Sequence, residues 1–322
     1  MTSLASGFAV ASNPVLAQAI ITDSLGLVSG EICLPVADGK VAAYRAMPTG
    51  PGKSPVLLVA QELFAVHEPI EDMCRRFAKM GDCAIAPEMD GRQGNMSKTT
   101  DIGAILPTVV AKAPDSQASS DLDAAVAFAG ASGNGNGNGN GNGNGDTARV
   151  GLVGCCWGGR AGWVYADCNT KLKAAMSYHG LLDGGKPFKP QDAVDFAANL
   201  KVPVLGLYAG IDGFVKPAVI DSMRAGIVKS GSGLEIVVFQ GVNHGFKADC
   251  RPTYGKTAAP ETKETCNRLV ERRRRLSRPP GPCALNPPKG DLNEDGPSIA
   301  ALAAVYPGQR QCHVVPAGAV PG

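Results

Sequence analysis

The segment Arg149-Val150-Gly151-Leu152-Val153-Gly154 and the turn that follows it constrain this chain more than any other feature. An apolar run without polar alternation fits a strand buried on both faces of a parallel sheet. Gly154-Cys155-Cys156-Trp157-Gly158-Gly159 comes next, ahead of a helical stretch. This is the nucleophile-elbow pattern G-x-S-x-G with cysteine in the serine position. The chain reverses sharply there, so the residues two before and two after the nucleophile must be tiny. Gly154 and Gly158 bracket Cys156. Centring the pattern on Cys155 would place Val153 and Trp157 in those positions, so Cys156 is the candidate nucleophile. A phosphate loop or mere tight packing are the other readings, but the turn lacks G-x-G-x-x-G. The helix starting near Trp157 presents backbone N–H groups and a positive dipole end, which favour a thiolate and a developing oxyanion.

The rest of the chain reads as alternating strands and helices. Ile32–Val36 and Val41–Tyr44 are two extended stretches around the turn Ala37-Asp38-Gly39-Lys40, a hairpin signal. Val56–Ala60 and Cys83–Pro87 are short buried strands, with an amphipathic helix over 68–80 between them. A second helix covers 117–130. Later strands are expected at 173–178, 202–209 and 234–240, with a helix between the last two. The alternation predicts an α/β architecture: a doubly wound, mainly parallel sheet with helices on both faces. Six Asn-Gly dipeptides fill residues 134–145; the stretch 133–145 reads as a flexible loop inside one domain.

In an open α/β sheet, functional groups gather at the carboxyl ends of strands. Asp212 follows Val204–Tyr208, and His244 follows Ile236–Phe239. The order nucleophile, acid, histidine is the one this elbow calls for. A lone aspartate is usually a turn residue and a lone histidine usually structural; three in order at strand ends are a constellation. His67 is a candidate for the cleft mouth. His179 ends a strand but precedes Asp212, so it breaks the order and reads as structural. His313 lies in the C-terminal stretch.

Gln61-Glu62-Leu63-Phe64 after one strand, Gly91-Arg92-Gln93-Gly94 after another, the Cys156 turn, Asp212, and His244-Gly245-Phe246 together resemble the dienelactone hydrolase family over roughly residues 25–260. The resemblance implies an α/β-hydrolase fold and hydrolysis of an ester or enol-lactone, dienelactone-like and anionic, through a Cys-His-Asp triad and a thioester. It gives Glu62 contact with the resting thiol and a part in its activation. It gives the backbone N–H groups of Leu63 and Trp157 the oxyanion hole, and Arg92 the substrate carboxylate. The family's founding members carry a second carboxylate-binding arginine four residues after the histidine. Here that residue is Ala248, with Lys247 and Arg251 nearby as the remaining candidates. Asp90 stands where relatives carry an aromatic residue. No metal and no organic cofactor is implied.

Composition limits the alternatives. With 322 residues and 44% hydrophobic content the chain can build one large domain. A net charge of +2 gives no global case for a nucleic-acid or membrane partner. There is no apolar run of about 18 residues. Ten cysteines occur, but none with zinc-finger spacing. Residues 1–24 read as a leader: Ala17-Gln18-Ala19 resembles an export cleavage site, yet the first basic residue is Lys40, so no positive segment precedes it. The expected location is cytoplasmic, with export the alternative. The hydrolase domain is expected over 25–276. Residues 266–290 hold seven basic groups and one acid among many prolines, and 277–322 read as a disordered tail. Arg272–Arg275 is a solvated basic run by this reading, not a nucleic-acid site. The expected partner is a small ester or lactone, and the oligomeric state stays open, a monomer among the options. Two other readings stand beside this one: a general carboxylesterase or thioesterase of the same fold, and an inactive hydrolase fold used for binding.

Overall fold

The computed structural model describes residues 21–94, 102–131, 144–186, 189–232, 235–249, 252–262 and 265. The expected leader up to residue 20, Arg251 and the expected tail 277–322 lie outside the described residues.

Strands β1 (Leu27–Val36) and β2 (Gly39–Pro48) form the expected hairpin, closed by the two-residue turn Ala37-Asp38. Then come β3 (Ser54–Ala60), α1 (Glu68–Lys79) and β4 (Cys83–Pro87). After α2 (Ile102–Thr108) and a 3-10 turn at Val110–Lys112, α3 covers Asp115–Ala131. Strand β5 (Gly145–Cys155) leads into α4 (Trp157–Cys168), followed by β6 (Leu172–Tyr178) and the short α5 (Ala193–Phe196). Strand β7 (Val204–Ala209), α6 (Pro217–Ser230) and β8 (Ile236–Phe239) complete the sheet. Sequence periodicity does not flag α2, α5 or the 3-10 turn; each is short, and α2 contains Pro107.

The strand order is β1-β2-β4-β3-β5-β6-β7-β8. Strand β2 is antiparallel to both neighbours and every other pairing is parallel. This is the doubly wound sheet that the strand–helix alternation predicts. Its two faces follow from the period of two along each strand. Val56 and Leu58 of β3 and Val150 and Leu152 of β5 join one core with Leu122 and Ala125 of α3, Trp163 of α4 and Met223 of α6. Leu57, Val59 and Val153 join the opposite core with Ile70, Cys74 and Ala78 of α1. Cys155 belongs to that second core, so Cys155 and Cys156 sit in different surroundings although they are adjacent in the chain. No helix among the described residues is long and apolar enough to cross a membrane.

Two boundaries differ from the sequence reading. Residues 22–23, assigned to the leader, are tied to α1. The Thr22 N–H donates to Asp72 at 2.6 Å, Arg75 Nε donates to the Thr22 carbonyl at 2.9 Å, and Lys79 Nζ reaches Asp23 at 2.6 Å. Composition could not show this, because the partners lie about fifty residues away. The second boundary is the Asn-Gly stretch. Its last dipeptide is structure: the Asn144 carbonyl accepts from the Ser54 N–H at 2.7 Å, and Gly145 begins β5 opposite Ser54. A β-carbon on Gly145 would stand 2.7 Å from the Ala129 carbonyl oxygen. The glycine is there for close approach of α3, not for flexibility.

A groove of about 590 Å³ runs along the outer edge of β8, lined by Val237, Phe239, Val242, Gly255, Ala258 and Thr265 among others. It contains none of Cys156, Asp212 and His244.

Strand β5 delivers Cys156 at its carboxyl end and receives the Asn-Gly stretch at its amino end. A strand of this kind separates its ends by roughly 17–20 Å or more. Deleting residues 136–143, which leaves Asn134-Gly135 and Asn144-Gly145, is expected to leave kcat/KM on an aryl ester unchanged. It is expected not to lower Tm, since each halving of a loop changes closure entropy by only about 0.6 kcal/mol. Gly145→Ala is expected to lose about 1–3 kcal/mol through overpacking against α3. Steady-state kinetics and thermal melts on the three proteins check both. Lost activity in the shortened chain at unchanged Tm would mean that the stretch reaches the catalytic end.

Candidate active site

The turn between β5 and α4 has the geometry that the glycine bracket predicts. Cys156 has φ 54° and ψ −114°, a strained backbone for a residue with a side chain. A β-carbon on Gly154 would stand 2.1 Å from the Gly158 carbonyl oxygen, and one on Gly158 would stand 2.2 Å from that of Ala60. Distances this short forbid any side chain. The strain is held from the neighbouring strand: the Cys156 N–H donates to the Tyr178 carbonyl at 2.9 Å. Gly159 and Gly180 are equally confined, since a β-carbon on Gly159 would meet the Gly180 Cα at 2.6 Å.

Cys156 heads α4, so the first N–H groups of that helix have no partner inside it. Trp157 supplies the first of them. The close pass of Gly158 against Ala60 and Gln61 brings the 60–63 backbone alongside, and Leu63, Cys156 and Trp157 pack in one apolar cluster with Phe64, Leu181 and Phe214. The two backbone groups named as oxyanion donors therefore lie on segments that touch beside the nucleophile.

Asp212 and His244 meet. His244 Nδ1 lies 2.9 Å from Asp212 Oδ2 and 3.1 Å from Oδ1. The Asp212 carboxylate also accepts from the Phe214 N–H at 2.8 Å and the Val215 N–H at 3.3 Å. Both side chains are buried. Their loops are joined by the Gly210 N–H to the Phe239 carbonyl at 2.7 Å and the Ile211 N–H to the Val242 carbonyl at 3.0 Å. Phe214 packs edge-on against the His244 ring, centroids 4.8 Å apart, and against the cluster that contains Cys156. Phe214 thus links the Asp–His pair to the apolar cluster that holds the elbow.

Other candidates fall elsewhere. Glu62 is buried, and one of its carboxylate oxygens lies within 4.8 Å of both the Cys155 sulfur and a His179 ring nitrogen. Chain order set His179 aside. Its ring nevertheless lies 4.5 Å from that of His244, and its φ is 38°. Its position at the end of β6, between the strands that carry Cys156 and Asp212, is the signal that could have found it. Arg92 Nη2 donates to both Asp121 oxygens at 2.8 and 2.9 Å, and its Nε lies 3.4 Å from Asp38. The Lys247 ammonium sits over the Tyr178 ring at 4.7 Å. His67 caps α1, with its Nδ1 3.1 Å from the Ala65 carbonyl.

One polar cluster beside the elbow has no sequence signature. Arg160 and Lys189 flank the Trp157 ring at 5.2 and 5.5 Å. Arg160 donates to both Asp115 oxygens, at 2.8 and 3.0 Å, and Lys189 donates to the Ala113 carbonyl. Asp90 is buried here, and burial pushes its carboxyl up to about 6 against the opposing pull of Lys189. Burial likewise lowers the Lys189 ammonium, opposed by Asp115 and Asp90. Asp90 therefore belongs to a set of charges that fixes Trp157.

Comparison with known proteins agrees with this fold. The model of the dienelactone hydrolase family matches residues 41–272. The chain is 49% identical over 255 residues to a protein of Methylorubrum extorquens named as a carboxymethylenebutenolidase, covering 79% of this chain and 84% of the relative. A protein of the same name from Escherichia coli K12 is 38% identical over 260 residues, covering 80% and 92%. Among solved structures, one named as a dienelactone hydrolase from Klebsiella pneumoniae superposes with a TM-score of 0.68 at 36% identity, covering 74% of this chain and 96% of that one. With its elbow, its strand order and these relatives, the chain belongs to the dienelactone hydrolase family of α/β-hydrolases.

Proposed function

We propose that this protein hydrolyses an ester or lactone with Cys156 as nucleophile, His244 as base and Asp212 as the group that orients the imidazole. The observation that carries this reading is the pair of constraints on one pocket: a cysteine in a strained turn that only flanking glycines permit, and a buried histidine held by a buried carboxylate. The Cys156 sulfur, as thiolate, attacks the carbonyl carbon. The oxyanion forms between the N–H groups of Leu63 and Trp157. The C–O bond to the leaving group breaks, and the imidazolium of His244 gives its proton to the leaving alkoxide or enolate. Water then loses a proton to His244 and attacks the thioester, and the thiolate departs. A thioester forms readily only from a good leaving group, which favours activated esters and enol-lactones over amides. The family resemblance gives Glu62 a part in activating the resting thiol, whereas its carboxylate lies within 4.8 Å of the Cys155 sulfur.

Substrate charge has two readings. The family resemblance gives Arg92 to a substrate carboxylate. The ion pair with the buried Asp121 favours a general carboxylesterase, because that guanidinium already holds carboxylates.

Two predictions test this. Cys156→Ala is expected to abolish turnover of an aryl ester and an enol-lactone, whereas Cys155→Ser keeps most of it. Burst kinetics on a chromogenic ester would show acyl-enzyme in wild type and in Cys155→Ser only. Full activity in Cys156→Ala overturns the assignment. Arg92→Ala is expected to lower stability by about 1–3 kcal/mol, because Asp121 loses its partner. It is expected to change KM equally for anionic and neutral substrates. A KM rise of roughly 10- to 100-fold confined to the anionic substrate would instead make Arg92 its binding residue.

A further inference from the structure

Behind the catalytic histidine lies a set of side chains that the hydrolytic reading leaves mostly unused. Glu62 follows β3, Cys155 ends β5 and His179 follows β6, so three neighbouring strand ends converge. A carboxylate oxygen, a sulfur and a ring nitrogen all lie within 4.8 Å of one another, and all three residues are buried. In tetrahedral zinc sites, bonds of about 2.0–2.3 Å place the donors roughly 3.3–3.8 Å apart. A contraction of about 1 Å through side-chain torsions therefore closes the triangle around an ion. The mixture of donors selects the kind of ion. Thiolate with imidazole suits zinc and its borderline-soft neighbours, whereas calcium and magnesium prefer oxygen alone. Sequence spacing could not show the site, since its members stand at 62, 155 and 179 and form no motif.

We propose that Glu62, Cys155 and His179 form a site for one thiophilic divalent cation of the zinc type, and that its occupation inhibits hydrolysis. On binding, the Cys155 S–H bond gives way to a sulfur–metal bond and one proton passes to solvent. His179 donates its nitrogen lone pair and Glu62 a carboxylate oxygen. No group changes oxidation state, and affinity rises with pH because the thiol must lose its proton. Inhibition follows from position and rests on His244 being the base. The His179 ring is 4.5 Å from that of His244, so turning His179 onto an ion shifts the ring that packs against the proposed base and misplaces it.

The test uses the full chain with Co²⁺ as a spectroscopic probe and Zn²⁺ as inhibitor. Wild type, Cys155→Ser, His179→Asn and Cys156→Ser are compared; asparagine tolerates the positive φ at 179. Cys33 and Cys168 are exposed and take up metal in every variant, so the difference between proteins is what is read. One equivalent of Co²⁺ by equilibrium dialysis, with its thiolate-to-cobalt absorption, is expected in wild type and Cys156→Ser and absent from the other two. Thermal melts establish that the variants are folded. Saturating Zn²⁺ is expected to lower kcat/KM roughly tenfold or more in wild type, as a misplaced catalytic group would. In Cys155→Ser the change stays below about twofold. Equal metal content in wild type and Cys155→Ser overturns the site, as does loss of the equivalent in Cys156→Ser. Binding without inhibition overturns the regulatory half. A wild type without hydrolytic activity refutes the proposed function while the cobalt count still decides the site.

Discussion

Where β5 turns into α4, two pieces of backbone press together so closely that no side chain fits between them. The carbonyls of Ala60 and Gly158 would each meet a β-carbon on the facing glycine at about 2 Å. That approach forces Cys156 into its left-handed backbone, and a residue with a side chain holds such a conformation only when its surroundings over-determine it. They do so here: the Tyr178 carbonyl takes the Cys156 N–H, and the Cys156 carbonyl accepts from Arg160 within α4. The same contact sets the 60–63 segment beside the first turn of α4, where the proposed oxyanion donors Leu63 and Trp157 lie. The position of Cys156 and that of the 60–63 segment are thus two results of one steric fact.

Cys156, Asp212 and His244 are legible as candidates because each is a local event at a strand end. Buried apolar runs mark β3, β4, β5 and β7, and the residue that ends or follows a run can be read without knowing which strand lies beside it. The strand order β4-β3-β5 could not be read, since pairing across a crossover leaves no local mark. For the same reason the partner of Arg92 was hidden: Asp121 lies on α3, and its side chain would suit a solvated face equally well. Gly145 shows the opposite error. Its composition matched a linker, but its missing side chain serves packing against Ala129. His179 was set aside by a rule of chain order that knows three residues only, while the structure puts its imidazole against that of His244.

The wall beside the elbow gives Asp90, ahead of Arg92, charged neighbours. The buried Asp90, Arg160 and Lys189 and the half-buried Asp115 form a charge set beside the Trp157 ring, and in a low-dielectric interior such charges favour pairing. Two cations held by carboxylates and carbonyls leave the indole little room to move. Rigidity here would preorganise the Trp157 N–H as the proposed oxyanion donor.

Among the described residues, strand β8 pairs with β7 over four residues and has no strand on its far side. It is the edge of the described sheet, and His244 follows its end. Edge elements with few hydrogen bonds open locally at free energies well below that of global unfolding. The proposed base is therefore carried by a strand with one described neighbour, and the proposed nucleophile by a strand paired on both sides. On that reading catalytic competence and the folded state are separable: fraying of β8 would withdraw the imidazole from Phe214 and Asp212 while the elbow kept its strain and the rest of the sheet stayed whole.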